Sequence, residues 1–168
     1  MKSYIIDAYN FIHQIPELEK LLDRNLRQVR EKLFEMCRSC KQRSKDIEKI
    51  VLVFDGDSRY GYLLPESRDG VHSVYTETGE DADQRIVQIL EGYTRRDHIS
   101  VVSDDNFVIN HARAYCARAV SSVEFFRCLT RKPKSKKSVS HQRASGEEKI
   151  SDQAARRVTD EYRRHLGL

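Results

Sequence analysis

The amino-acid sequence predicts an α/β fold, a three-layer sandwich in which helices cover both faces of a mostly parallel five-stranded sheet. Short, continuous apolar runs alternate with longer segments in which apolar residues recur every three or four positions. Strands that are apolar throughout are typical of parallel sheets, whose two faces are both buried. A chain of 168 residues, of which 39% are hydrophobic, suits one domain with one core.

The predicted elements follow one another in the order β-α-β-β-α-β-α-β. The five strands are expected at 3–6, 50–54, 71–75, 99–102 and 123–126. A long amphipathic helix is expected over 16–40, and two further helices over 82–93 and 106–119, because apolar residues recur there at helical spacing. The glycine-containing connection 56–70 is expected to be a loop.

The chain is expected to divide into a folded domain, residues 1–129, a basic linker, residues 130–146, and a C-terminal helix, residues 147–168. Between Glu124 and Glu147 no acidic residue occurs, although the net charge of the chain is only +4. Such a polar, basic composition is typical of a linker. The last segment carries a narrow apolar stripe, so we expect it to pack on the domain or on a second copy of the chain, forming a homodimer.

The sequence favours a cytoplasmic protein. No apolar run approaches the roughly 20 residues needed to span a bilayer, and the N-terminus becomes acidic at Asp7, too early for a secretory signal. The four cysteines are then expected to be reduced. Cys37 and Cys40 form a C-x-x-C, for which packing of one helix face is favoured over a zinc or redox site because no second close pair completes a zinc site.

Acidic residues follow three of the predicted strands, and others begin a predicted helix. The strand ends carry Asp7, Asp55 and Asp104, and the helix start carries Glu80 and Asp83. The carboxyl ends of parallel strands meet at one edge of a sheet, where ligands bind. Converging carboxylates repel each other, by about 1 kcal/mol for a pair at 4 Å in water. Such a cluster requires protons or cations, and carboxylate ligands suit Mg²⁺ or Mn²⁺.

Each aspartate alone also has a structural interpretation, because an aspartate after a strand often caps the next helix. At Asp104 and Asp105 both roles are available, with one residue as the cap and the other facing the site. The agreement of three strand ends and one helix start favours a metal site. A metal held there can activate water and stabilise in-line displacement at phosphorus.

Four motifs at these acids resemble those of one family. Asp7-Ala8-Tyr9-Asn10 resembles the D-x-Y-N opening of YacP-like NYN domains, within the PIN-like nuclease superfamily. The other three motifs are Val53-Phe54-Asp55-Gly56, Glu80-Asp81-Ala82-Asp83 and Val101-Val102-Ser103-Asp104. They occur in the order of the family, and the resemblance covers residues 3 to about 127, without the basic linker and the last helix.

The resemblance implies a PIN-like α/β/α sandwich and a divalent-metal-dependent endoribonuclease, a hydrolase that cuts RNA with Mg²⁺ or Mn²⁺. It implies catalytic and metal-binding roles for Asp7, Asp55, Asp83 and Asp104. Asn10 would orient a metal-bound water or a phosphate, and Glu80 would be an auxiliary acid. The additional Asp105 leaves the division of labour at the fourth motif open.

RNA is the expected partner, free or within a ribosome, because a basic arm beside an acidic site suits nucleic acid. From the loop after Asp55, the residues expected to stack on bases or to bind phosphate are Arg59, Tyr60, Tyr62 and Arg68. From the linker, the residues expected to bind phosphates are Arg131, Lys132, Lys134, Lys136 and Lys137. The alternatives are a solvated loop and a basic segment that only keeps the chain soluble.

Two other functions fit the sequence. One is an RNA-binding module with an inactive nuclease-like site, and the other is a metal-dependent phosphohydrolase of small nucleotides. The endoribonuclease is preferred to the first because a module that only binds RNA gains nothing from carboxylates that repel phosphate. It is preferred to the second because the basic arm suits a polymer.

Overall fold

A six-stranded sheet runs through the part of the chain that the computed structural model describes, residues 1–56, 65–77 and 79–131. Its strands are β1 (Lys2–Asp7), β2 (Ile47–Phe54), β3 (Ser67–Arg68), β4 (Val71–Tyr75), β5 (Ile99–Val102) and β6 (Arg118–Val120). They lie in the order β3-β4-β2-β1-β5-β6. All neighbours are parallel except β3 and β4, which form a short antiparallel hairpin. The predicted α/β class with a mostly parallel sheet is confirmed, but the sheet has six strands instead of five because β3 forms within the segment 56–70 that was predicted as a loop.

Helices cover both faces of this sheet. They are α1 (Ala8–Gln14), α2 (Pro16–Leu22), α3 (Leu26–Arg43), α4 (Ala82–Glu91), α5 (Asn106–Ala114) and α6 (Ser122–Thr130), with a 3-10 turn at Arg96–His98 before β5. Along β1, Ile6 faces the core formed with α1, α2, α3 and α6. Its neighbour Ile5 faces the core formed with α4 and α5, as the alternation of a strand requires. The three layers form the expected sandwich.

The strand order reverses beside β1. The chain proceeds outwards from β1 to β2 and the β3–β4 hairpin, and then returns to β5 on the other side of β1. The carboxyl ends of β1 and β5 therefore border the crevice in which open α/β sheets bind ligands. Asp7 is the last residue of β1, and Ser103 follows β5 directly. The fold thus brings the first and the last of the four motifs to this crevice.

The strand predicted at 123–126 is wrong, because these residues belong to α6. The Ser121 hydroxyl caps the helix by accepting a hydrogen bond from the backbone N–H of Glu124 at 3.2 Å. Phe125 and Leu129, one turn apart, are buried. A serine followed three residues later by glutamate is a helix-start signal, and here it outweighs the β-forming side chains. The fifth parallel strand is instead β6, at Arg118–Val120.

The helix predicted over 106–119 ends earlier, at Ala114. Cys116 adopts a left-handed backbone conformation with a φ of 59°, and the N–H of Ala117 donates to the carbonyl of Ala112 at 2.8 Å. Helices often end in this way, with a glycine in the left-handed conformation. Because cysteine occupies the glycine position, the sequence carries no signal of this end.

The single long helix predicted over 16–40 is divided into α2 and α3. The side chain of Asn25 caps α3 by accepting a hydrogen bond from the N–H of Gln28 at 3.0 Å. The apolar spacing continues across this break and conceals it. The additional helix α1 has only seven residues, too few to show a clear helical period.

The two cysteines of the C-x-x-C pack in the hydrophobic core. Cys37 and Cys40 are buried on the sheet-facing side of α3, and all four cysteines are free thiols. Burial raises the pKa of the Cys37 thiol well above its ordinary value. This agrees with helix packing, the interpretation that the sequence favours.

Only the first two residues of the predicted linker, 130–146, are described. Thr130 ends α6, and Arg131 follows it as the C-cap. The rest of the linker and the predicted C-terminal helix, 147–168, lie outside the described residues, so the predicted homodimer through that helix stays a prediction. Among the helices that the structure describes, none is long and apolar enough to cross a membrane.

Candidate active site

Asp7 lies at the centre of the site, at the end of the central strand β1. It is only 5% exposed. One of its carboxylate oxygens accepts a hydrogen bond from the backbone N–H of Asn10 at 3.3 Å, which makes Asp7 the N-cap of α1. The other oxygen accepts one from the hydroxyl of Ser103 at 3.2 Å. The capping role and a position in the crevice therefore belong to the same residue.

The pKa of Asp7 is raised from 3.8 to about 6, chiefly by burial. The negative charges of Asp83 and Asp105 also raise it, and the hydrogen bonds from Asn10 and Ser103 lower it. Carboxylates whose pKa is raised in this way are candidates for a functional site.

Asp83 joins Asp7 from the first turn of α4. Burial raises its pKa, and so do the nearby charges of Asp105, Asp81 and Asp55, in that order. Because Coulomb interaction weakens with distance, a charge that acts on both Asp7 and Asp83 lies near both. We call Asp7, Asp83 and Asp105 the inner acids. They come from three separate elements: the end of β1, the start of α4 and the connection from β5 to α5.

Asp104 and Asp105, adjacent in the chain, have different partners. Asp105 caps α5 by accepting a hydrogen bond from the N–H of Phe107 at 2.7 Å, and its charge reaches the other inner acids. The Asp104 carboxylate instead accepts a hydrogen bond from the N–H of Ser122, in the first turn of α6, at 3.0 Å. The structure therefore gives Asp105 both the capping and the site-facing position, while Asp104 ties the connection after β5 to α6.

Two small polar side chains fix the connection after β5. The side-chain oxygen of Asn10 accepts the N–H of Asp104 at 2.9 Å, so Asn10 positions the backbone here. Ser103, 1% exposed, donates its hydroxyl to Asp7 and accepts the N–H of Asp105 at 3.1 Å. One hydroxyl thus links two inner acids. Ser103 is missing from the predicted site residues, although its place beside Asp104 in the fourth motif is a signal for it.

Asp55 lies farther out, after β2, and is exposed. Its carboxylate accepts a hydrogen bond from the hydroxyl of Thr76 at 3.1 Å, and that hydroxyl accepts the N–H of Gly56 at 2.7 Å. A Cβ at Gly56 would lie 1.8 Å from the carbonyl oxygen of Thr76. The glycine therefore permits the close backbone approach that positions Asp55. Thr76, like Ser103, is missing from the predicted site residues.

Glu80 lies two residues before the first residue of α4. Its carboxylate accepts the N–H of Glu77 at 3.4 Å and lies 3.9 Å from the guanidinium of Arg85. These three residues, with Tyr75 and others, line an open cleft of about 470 Å³ next to the start of α4. The predicted auxiliary acid therefore faces a polar cleft in this arrangement.

The predicted location of Arg68, in a loop near the site, is wrong. Arg68 lies in β3, opposite Val71, the first residue of β4, whereas the acids follow the last residues of the strands. Its guanidinium is paired with three carboxylates, those of Glu31, Glu35 and Glu66.

Of the other predicted RNA contacts, only Arg131 is described, and it is exposed. The residues outside the described part are Arg59, Tyr60, Tyr62, Lys132, Lys134, Lys136 and Lys137.

The inner acids fit a divalent cation by their chemistry. Carboxylate oxygens are the ligands that Mg²⁺ and Mn²⁺ prefer, and a cation would relieve the repulsion that raises the pKa of Asp7 and Asp83. Across residues 1–56, 65–77 and 79–131, no three His, Cys, Asp or Glu side chains are already grouped closely enough to hold a metal ion. In this arrangement a cation would be held by one or two of these carboxylates directly and by the others through water, as is common for Mg²⁺.

Comparison with known proteins agrees with this fold. The family model of the YacP-like NYN domain matches residues 4–166. Two crystal structures of Rae1 (YacP) from Bacillus subtilis, one of them a point mutant, are similar to the chain. Their sequences are 19% and 18% identical to it, with TM-scores of 0.61 and 0.60, and the matches cover 99% of this chain and 85% and 83% of theirs. At this identity the likeness concerns the fold.

No curated protein matched the chain. The family match continues to residue 166, and therefore includes the C-terminal segment that the motifs alone place outside the resemblance.

Proposed function

Because the chain belongs to the family of YacP-like NYN domains, we propose that it is a divalent-metal-dependent endoribonuclease with its active site at the inner acids. Family membership supports the broader assignment, a nuclease-type function related to RNA. The finer assignment is supported by one observation. Carboxylates from three separate elements act on one another electrostatically at the switch point of the sheet, where burial and this repulsion raise the pKa of Asp7 to about 6.

In this proposal Asp7, Asp83 and Asp105 hold Mg²⁺ or Mn²⁺, with Asp55 and Asp104 in outer positions. When bound, the metal supplies an activated water and a positive charge beside the phosphate that is cut. The protein orients the carboxylates that would hold the metal.

Two hydrogen bonds fix the Asp7 carboxylate, one from Ser103 and one from the backbone of Asn10. Such outer partners typically orient the ligands of metal sites. Asp7 therefore needs little reorientation when a cation arrives.

RNA is the proposed substrate, in preference to a small nucleotide. Between Glu124 and Glu147 the sequence has seven arginines and lysines and no acid. Each phosphate that such residues neutralise adds about −0.7 to the slope of log affinity against log salt on a single strand.

Free thiols at all four cysteines fit the reducing cytoplasm, where we place the protein.

The second candidate is an RNA-binding module with an inactive nuclease-like site. It is favoured by the wide spacing of the acids, since the described part of the chain has no group of three ready to hold a metal. This candidate predicts salt-dependent RNA binding without cleavage in Mg²⁺ or Mn²⁺.

Sequencing of RNA ends distinguishes these functions. Total RNA is incubated with the wild type, with Asp7→Asn and with Asp46→Asn, an exposed aspartate just before the amino end of β2 that serves as the control. New ends are expected with the wild type and the control in Mn²⁺, and none with Asp7→Asn or in EDTA.

Equal cleavage by Asp7→Asn would contradict the proposed site. RNA binding without new ends from the wild type would establish the binding module. Hydrolysis of free nucleotides alone would indicate the phosphohydrolase.

A further inference from the structure

Two large apolar side chains are exposed at the starts of α5 and α6, at the edge of the sheet that carries the acids. Phe107 is 48% exposed and Val123 is 46% exposed. Apart from Met1, they are the only large hydrophobic side chains exposed in the described ranges. Single exposed apolar residues are ordinary, but apolar surface that adjoins a candidate site indicates a binding surface.

Both side chains are tied to the acids through the backbone. The N–H of Phe107 donates to Asp105 at 2.7 Å. Val123 follows Ser122, whose N–H donates to Asp104 at 3.0 Å. The exposed apolar groups therefore occupy fixed positions next to the site.

The Phe107 ring is supported from within α5. It packs on the imidazole of His111, one turn later, with ring centroids 4.1 Å apart and an angle of 40° between the planes. The Nδ1–H of His111 donates to the backbone carbonyl of Phe107 at 2.8 Å, which fixes the imidazole. The phenyl ring is thus held in place while half of the residue stays exposed.

We propose that Phe107, supported by His111, is a stacking surface for an unpaired base of RNA next to the inner acids. The idea rests on the proposed function in taking RNA as the substrate. Without a bound cation the carboxylates repel phosphates, so a strand that crosses the acids is then held by contacts that do not depend on charge. An aromatic ring supplies one, because a stacked base contributes about 5- to 150-fold in affinity with little regard to sequence.

An RNA base fits this surface better than a protein partner does. A stable protein interface buries about 800 Å² on each partner, far more than two side chains of the size of Phe107 and Val123 provide. Asn110, three residues after Phe107 on the same helix face, is also exposed. A small apolar platform with polar neighbours suits a single base and its sugar.

The sequence contains no tryptophan, so Phe107→Trp places the sole indole of the protein at this surface. A short single-stranded RNA is titrated in EDTA, which prevents metal-dependent turnover, and tryptophan fluorescence is recorded. Saturable quenching is expected with the RNA and none with the same backbone carrying abasic residues. Thr94→Trp is the control, because it is exposed in the connection that leads to the amino end of β5, at the opposite edge of the sheet. It should not respond.

Phe107→Leu removes the ring but keeps an apolar side chain. Its affinity for RNA should fall at least fivefold, roughly the lower limit for one stacked base, while Phe107→Tyr should bind as the wild type does. The slope of log affinity against log salt should not change in Phe107→Leu, because no phosphate contact is lost.

Binding of Phe107→Leu within twofold of the wild type, or equal quenching by the abasic oligomer, would overturn the proposal. So would a change of oligomeric state in Phe107→Leu with unchanged RNA binding. Quenching without cleavage in Mn²⁺ would refute the nuclease and leave the stacking surface standing. Cleavage that does not change when Phe107 is replaced would support the nuclease and refute the stacking surface.

Discussion

On the β1–β5 side of the sheet edge, the hydroxyl of Ser103 donates to Asp7, and on the β2–β4 side the hydroxyl of Thr76 donates to Asp55. Each hydroxyl residue directly follows the strand next to that of its aspartate. The surroundings differ, since Asp7 is buried among acids and Asp55 is exposed. The two hydroxyl–aspartate pairs are therefore alike in their hydrogen bond but differ in their surroundings. The aspartate of the first pair is repelled by other carboxylates, and the aspartate of the second pair is exposed to solvent.

The two sides are also positioned by different forces. On the first side, the charges of Asp83 and Asp105 act on Asp7, so position and protonation are coupled. On the second side, the missing side chain of Gly56 lets two backbones meet, so position is a matter of steric fit. We expect chemistry to depend mainly on the first side and the local fold on the second.

The largest expected effect separates the two aspartates in RNA cleavage. Asp7→Asn should reduce the rate by at least about a thousandfold, because it removes a charge from the centre of the site. Asp55→Asn should reduce it by about ten- to a hundredfold, as for an outer ligand. Single-turnover cleavage of one RNA oligomer in Mn²⁺ measures both. Equal losses would show that the difference in burial has no bearing on catalysis.

The pH dependence of stability tests the buried side alone. The pKa of Asp7 is about 6 in the folded chain against an ordinary 3.8, so protonation favours folding. This contribution is complete below pH 3.8 and is lost as the pH rises through about 6, by on the order of 2–3 kcal/mol in the free energy of unfolding.

Urea unfolding in EDTA at pH 4 to 7 should therefore show a steeper fall for the wild type than for Asp7→Asn. Other carboxylates titrate in both proteins, so the difference between the two curves isolates Asp7. Parallel curves would contradict a raised pKa.

Gly56→Ala tests the steric side. Because its Cβ would meet the carbonyl oxygen of Thr76 at 1.8 Å, the variant should lose about 2 kcal/mol in the free energy of unfolding. Gly92→Ala is the matched control, since its Cβ would make only ordinary contacts, at 3.5 Å from the carbonyl of Ile89. Urea midpoints measure both. A tolerated Gly56→Ala would refute the close-approach explanation.

The smallest expected effect compares the two hydroxyls. Ser103→Ala should lower RNA cleavage about tenfold, because Asp7 loses one of the two hydrogen bonds that orient it, and Thr76→Ala should lower it less. Both rates come from the same oligomer assay. A greater loss in Thr76→Ala would reverse the ranking of the two sides.

The sequence predicted Asp7, Asp55, Asp83 and Asp104 as site residues because strand ends and a helix start are local features. It left open how Asp104 and Asp105 divide the capping and site-facing positions, because the hydrogen bond that separates them comes from the N–H of Ser122, a residue beside a segment predicted as a strand. The hydrogen bond from Ser103 to Asp7 spans 96 positions, and that from Thr76 to Asp55 spans 21. Only the strand order brings such pairs together.

Two elements of the fold were predicted wrongly because their local signals were weak or obscured. The helix end at Cys116 depends on a left-handed backbone at a residue that rarely adopts it. The start of α6 was marked by Ser121 and Glu124, a local signal that the apolar run after it obscured. The class of fold was predictable because apolar strands between helices leave few alternatives.

A carboxyl titration of Asp7 by NMR tests most directly whether the inner acids form one electrostatic group. The Asp7 side-chain carbon is followed from pH 3 to 8 in EDTA, in the wild type, in Asp83→Asn and in Asp46→Asn as the remote control. We predict a pKa of about 6 in the wild type and the control, and a lower value in Asp83→Asn because one repelling charge is gone. An equal pKa of Asp7 in all three proteins would contradict the convergence of these carboxylates.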